Sequence, residues 1–239
     1  MKVPVGAKLV YDFDFAGVKG VFPPESPDRD HHWVSGNEET ASTTIQGNRM
    51  EVSVWDVPVH GKVGGRGSLT NDGRWDVVSD REGKHDLITW KTLIPRLIPV
   101  AQGPNRFCMM LDGKMGLNGS DGIWGVNMEV TNGAMRHWVQ NQTGKGVYHS
   151  AKTANAIPVN VEYECALEVL WKTDLTGFME FRYLDTVIRA DNVQMLGKDK
   201  LQAIMWSLYV GDDGGVLPDN SRYTVQYSGV QLWELPAIA

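Results

Sequence analysis

The stretch Pro158–Asp174, PVNVEYECALEVLWKTD, decides the fold. Val159, Val161, Tyr163, Cys165, Leu167, Val169 and Trp171 fall on one parity. Asn160, Glu162, Glu164, Ala166, Glu168 and Lys172 fall on the other, with Leu170 the exception. Successive side chains of a strand alternate between faces, so the spacing predicts one long strand with a buried face and a wet face. A slip of one residue would carry the apolar set into water, which specifies the register. A strand well beyond the usual ~5–6 residues calls for a large curved sheet rather than a small barrel.

Working outward, Ala7–Phe15 alternates and predicts a strand, while Val18–Asp30 is loop, broken by Pro23, Pro24 and Pro27. Thr43–Asp56 predicts a turn at Gly47-Asn48 followed by a strand, and Gly61–Gly67 a glycine-rich loop. His85–Ile98 is a strand ending near Pro95, and Asn105–Asp112 is another. Ile123–Val130 and Ala134–Asn141 form a hairpin over Thr131-Asn132-Gly133, because an Asn-Gly pair tolerates positive φ. After the long strand come a turn at Thr173–Gly177 and strands at Phe178–Val187, Leu201–Val210 and Tyr223–Glu234. No amphipathic helical segment, repeat or low-complexity tract interrupts them. Many closely spaced strands without helices predict an all-β fold, an antiparallel two-sheet sandwich, and 239 residues suit one domain over 1–239.

Composition narrows the function classes. Apolar residues make up 42% and charged residues 22%, with 26 glycines for the turns and nine tryptophans for core or for stacking on flat rings. A formal net charge of −6 without a Lys/Arg cluster argues against nucleic acid, which needs a basic stripe. No apolar run is long enough for a membrane span, and Met1 leads into Lys2–Gly6 without a signal-peptide core. Cys108 and Cys165 both sit in strand-like runs and would pair only on neighbouring strands; free buried thiols are the expectation.

Several blocks carry a resemblance. They are YDFDF at Tyr11–Phe15, the run Trp171–Ile188 with its strand–turn–strand pattern, LQAIMWSLYVGDDGG at Leu201–Gly215, and the closing strand YTVQYSGVQLWE. In this order the chain resembles the concanavalin A-like jelly roll of heparin-lyase-like and alginate-lyase-like polysaccharide lyases. The resemblance covers most of the chain and implies a jelly-roll domain facing a glycan. The catalytic motifs depart from it. A Gln-x-His strand would fall at Phe107-Cys108-Met109-Met110, only Tyr209 before Gly211 echoes the tyrosine-rich strand, and Leu184-Asp185-Thr186 stands at the Asn-Gly hairpin tip.

Lyase chemistry on a uronic acid needs a neutraliser for the carboxylate, a base for the C5 proton and an acid for the leaving oxygen. Arg136, Trp138 and Gln140 share one parity and offer a cation, a platform and an amide, with His137 on the other. Tyr209 is a candidate base, and Trp206, on the opposite parity, a candidate platform. Asp28–Trp33 holds adjacent histidines that point apart on an extended chain, a poor zinc set. Asp212-Asp213-Gly214-Gly215 and Ser120-Asp121-Gly122 could give carboxylates to Ca²⁺ but read more simply as turns, so no cofactor is expected. Glu162, Glu164 and Glu168 share an outward face and serve solvation.

The unmatched motifs lead to the expectation of a non-catalytic glycan-binding or adhesion module. The absent signal suggests a bacteriophage virion protein, tail-associated or decorating, that meets host surface polysaccharide after lysis. Other virion proteins and further copies of the chain fit as partners. The alternatives are a polysaccharide lyase cleaving a uronic-acid polymer by β-elimination and a purely structural virion component.

Overall fold

The computed structural model describes residues 2–13, 32–35, 41–54, 63–69, 81–96, 105–113, 126–131, 134–139, 149–152, 158–195, 202–210 and 223–238. Among them are fifteen strands and no helix. The strands are β1 (Lys8–Phe13), β2 (His32–Ser35), β3 (Ala41–Gln46), β4 (Arg49–Val54), β5 (Val63–Leu69), β6 (His85–Leu93), β7 (Asn105–Gly113) and β8 (Val126–Thr131). They continue with β9 (Ala134–Val139), β10 (His149–Lys152), β11 (Tyr163–Leu170), β12 (Gly177–Tyr183), β13 (Thr186–Val193), β14 (Gln202–Val210) and β15 (Tyr223–Glu234).

Eight strands form one antiparallel sheet in the order β13-β12-β11-β6-β15-β4-β3, with β1 also on β15. Seven form the other, in the order β10-β9-β8-β7-β14-β5-β2. The sheets approach each other where β3 and β4 meet β5, where β13 meets β9 and β10, and where β14 meets β4 and β15. The architecture is the expected concanavalin A-like jelly-roll sandwich.

The alternation in 163–170 sets the core face of the first sheet. Leu167 pairs with Phe181 and Ile88, and the same row runs on to Ile188 on one side and Leu232 on the other. All five are at most 5% exposed. Full burial of such a side chain is worth roughly 1.5–3 kcal/mol, so this row alone outweighs any local propensity. Trp90 stacks on Phe181 at 5.9 Å, extending the same face. The ladder is shorter than the alternation predicted, however. Residues 158–162 lie outside β11, Asn160 takes a left-handed φ of 57°, and Val159 and Val161 are exposed. The turn at Asn160 breaks the register, so the apolar parity there no longer reaches the core.

Ala166, on the wet parity, is fully buried, because Leu87 and Leu235 pack over it with Ala7 and Trp233. At the start of β12 the backbones converge so closely that a Cβ on Gly177 would stand 2.6 Å from the Val193 carbonyl oxygen. In β15, Gly229 with φ 59° sits inside the register shift between Ser228 and Gln231 on the β6 side. This bulge switches the buried parity from Val225 and Tyr227 to Val230 and Leu232.

Two further expectations change. Most of the loop expected at Gly61–Gly67 is strand: residues 63–69 are β5, paired with β14 on one side and β2 on the other, while 61 and 62 lie outside the described residues. Ladders on both sides override the low strand propensity of glycine. The run from Phe178 is a hairpin, β12 and β13, turning at Leu184-Asp185 with Leu184 at φ 48°. Cys108 lies in the second sheet while Cys165 is a free, buried thiol of the first, its pKa pushed up by burial. The loop read at Val18–Asp30 and the turns at Asp212–Gly215 and Ser120–Gly122 lie outside the described residues.

Candidate active site

The pairing register divides the second sheet into two faces. On one, Phe107 and Leu208 pair, as do Leu111 and Ile204, and Met128 with His137. This face is apolar, the kind a sandwich buries between its sheets. Trp206, paired with Met109 and Gly67, belongs to it.

The other face carries two neighbouring rows rich in polar residues, beyond which Met205 stands opposite Met110. Tyr209 pairs with Arg106, Arg106 with Glu129, Glu129 with Arg136, and Arg136 with Lys152. These five residues form one row across β14, β7, β8, β9 and β10. The next row on the same face runs Ser207, Cys108, Asn127, Trp138 and Ser150. On the β5 side, Gly64 is opposite Tyr209 and Arg66 opposite Ser207, with Trp33 of β2 opposite Arg66.

Of the residues picked from sequence, Arg136, Trp138 and Tyr209 therefore share a face, and two of them share a row. Trp206 falls on the other face, as its parity requires, since β14 runs without a bulge. Gln140 lies outside the described residues. Arg106, Glu129, Lys152, Arg66 and Trp33 are not among the site residues that the sequence suggested. Each sits at an alternating position in its strand, but nothing local says which remote strand lies beside it.

The outer face of the first sheet is chemically different. Glu168 lies 2.8 Å from His85 Nε2 and accepts from Arg182 Nη2 at 2.5 Å. Arg182 also donates to Glu180, and Arg189 bridges Glu180 and Asp191 while its guanidinium lies 3.9 Å over the Phe178 ring. Glu162 is paired with Arg49 at 2.5 Å and Lys91 at 3.2 Å. Burial works to raise both carboxyls, yet their cationic partners win, and Glu162 and Glu168 sit below the usual range. Two of the three carboxylates expected to serve solvation, Glu162 and Glu168, are thus ion-paired. A cavity of about 120 Å³ beside the bulge, lined by Val3, Thr89, Lys91, Glu164 and Gln231, is well below the ~300 Å³ at which ligand pockets begin. Among the described residues no three His, Cys, Asp or Glu side chains gather as a metal site. Among the described residues of this face the carboxylates are tied to cations rather than set as a free pair, which a glycosidase would need across a cleft.

No protein-family model and no curated protein matches the chain. Solved structures do. The endo-β-1,4-glucuronan lyase of the fungus Trichoderma reesei matches with a TM-score of 0.62 at 13% identity, over 94% of this chain and 95% of that one. The alginate lyase of Aplysia kurodai matches with a TM-score of 0.56 at 10% identity, over 95% and 100%. An alginate lyase from a Chlorella virus gives 0.53 at 11%, again over 95% and 100%. The fold is that of these lyases. The resemblance seen in the sequence is confirmed across nearly the whole chain. The reading of a non-catalytic virion module is corrected: the solved structures that share the fold over nearly their whole length are named as polysaccharide lyases, with a sialidase matching over 19% of its own chain.

Proposed function

We propose that the chain is a polysaccharide lyase that cleaves a uronic-acid polymer by β-elimination on the polar face of its second sheet. The observation that carries this is the row in which Tyr209 stands in register beside Arg106, with Arg136 and Lys152 further along. Residues directly opposite in an antiparallel pair have Cβ atoms about 4.5–5.5 Å apart. A tyrosine and a cation can therefore meet the same sugar ring.

The chemistry follows from those groups. A guanidinium on the substrate carboxylate stabilises the negative charge that builds up when C5 loses its proton. The phenolate of Tyr209 takes that proton; a neighbouring cation favours the phenolate by stabilising its charge. The electron pair of the broken C5–H bond becomes the C4=C5 double bond, the C4–O4 bond breaks, and the proton ends on O4 of the leaving sugar. Trp138 and Trp33, in the second row, supply platforms for neighbouring pyranoses. Gly64, opposite Tyr209, leaves that flank of the row bare, as strand glycines do where a ligand comes close.

The test is incubation with glucuronan, alginate, hyaluronan and heparin while following the ultraviolet absorbance of the unsaturated product. Signal is expected with at least one polyuronate. Tyr209→Phe should cut it at least ~100-fold, the usual scale of a general acid–base residue. A folded wild type that yields no product from any of the four polymers overturns the reading.

A further inference from the structure

A face that binds a polyanion should hold cations, yet the central position of the row is a carboxylate. Glu129 pairs with Arg106 of β7 on one side and Arg136 of β9 on the other. The order along the row is Lys152, Arg136, Glu129, Arg106, Tyr209, three cations against one anion. Taken alone, Glu129 repels a uronate, a local conflict of the kind expected at functional sites.

We propose that Glu129 is a positioning residue, which holds Arg106 and Arg136 at fixed stations on either side of it so that both guanidinium groups are preset for substrate. The proposal rests on the lyase reading of this face. Strands lie ~4.8 Å apart, so β7 and β9 are separated by about two such spacings. Across that gap two long flexible cations repel and would splay, whereas one carboxylate placed between them in register gives both a common partner. Charge-assisted bonds between arginine and carboxylate fix direction as well as distance. Catalytic electrostatics depend on donors that need no rearrangement when charge develops. The adverse charge of Glu129 is then offset by the order it imposes.

The two roles predict opposite signs for the same variant. Glu129→Gln removes a negative charge from a polyanion site; if repulsion were its only effect, affinity would rise and turnover would hold. If Glu129 positions the arginines, Glu129→Gln lowers kcat/KM about 10-fold, mainly through kcat, since small misplacements at a reacting centre are costly. Glu129→Asp, which keeps the charge, should recover part of the loss. The experiment measures kcat and KM on the polyuronate that the wild type cleaves. It also measures affinity for glucuronan and alginate by titration calorimetry, with circular dichroism to confirm folding of both variants. Weaker binding and slower turnover in Glu129→Gln, partly restored in Glu129→Asp, support the proposal. Equal or tighter binding in Glu129→Gln with turnover intact overturns it. A wild type that binds polyuronate without releasing unsaturated product sinks the lyase reading alone, and the binding comparison still decides the role of Glu129. No binding and no cleavage by wild type sinks both.

Discussion

Asp86 is a carboxylate on the core side of β6 with no exposed surface. Arg81 grips it with Nε, at 2.8 Å, and with Nη2, and Trp171 Nε1 donates to it at 2.7 Å. Arg81 Nη2 reaches on to Glu234 at 2.9 Å, tying the residues ahead of β6 to the end of β15. Burial pushes the Asp86 pKa up against the pull of these donors; Arg81, also opposed by burial, is raised by its two carboxylates and stays charged. Removing one partner of a buried pair strands the other, at a cost of about 3–5 kcal/mol. Asp86→Ala should therefore lower the unfolding free energy by about 3 kcal/mol in urea, Glu234 retaining part of the hold on Arg81. A loss under about 1 kcal/mol would mean that water or Glu234 replaces the lost partner.

At the scale of the element, β15 shows what was legible and what was not. Its limits, Tyr223–Glu234, and its strand character could be read from the sequence, as could the core parity of 163–170, since burial of one face imposes period two. The parity switch at Gly229 could not, because a bulge inserts one residue and reverses the pattern without a local mark beyond the glycine. For the same reason β5 was missed: its backbone is set by β14 and β2, which come from distant parts of the chain. Arg136 and Trp138 could be paired by parity within one strand, but Arg106 and Tyr209 join them only through the strand order. Gly229 gives a direct test. A Cβ there would meet nothing closer than the Lys91 side chain at 3.9 Å, so a substitution is strained by its positive φ rather than by a clash. Gly229→Val should cost about 1–2 kcal/mol, the penalty of a left-handed residue. An unchanged urea midpoint would mean that the bulge relocates.

For the whole molecule the charges predict an acid limit. Glu162, Glu168, Asp174 and Glu234 are held below their ordinary pKa by cations or hydrogen bonds, although burial opposes this, and among the described residues Asp86 alone of the shifted carboxyls is raised. A depressed group stabilises the fold fully above its unfolded pKa, near 4 for these carboxylates. Below that, the unfolded chain takes up protons that the folded chain refuses, and stability is lost as pH falls through the folded values. Asp86 works in the opposite sense, gaining as it protonates. With four against one among the described residues, the melting temperature should be level from neutrality to about pH 5 and decline toward pH 3. Glu168→Gln should make that decline shallower; an identical profile would remove Glu168 from the set.

β15 joins β6 on one edge to β4 and β1 on the other. The strand that unites the larger sheet is thus the last of its members to leave the ribosome. Until residues 223–234 emerge, β1, β4 and β6 have been translated but lack their shared neighbour, and their open edges must be kept from foreign strands. Closing the sheet therefore waits for β15 itself, and a nascent chain stalled before Tyr223 is the form most in need of a chaperone.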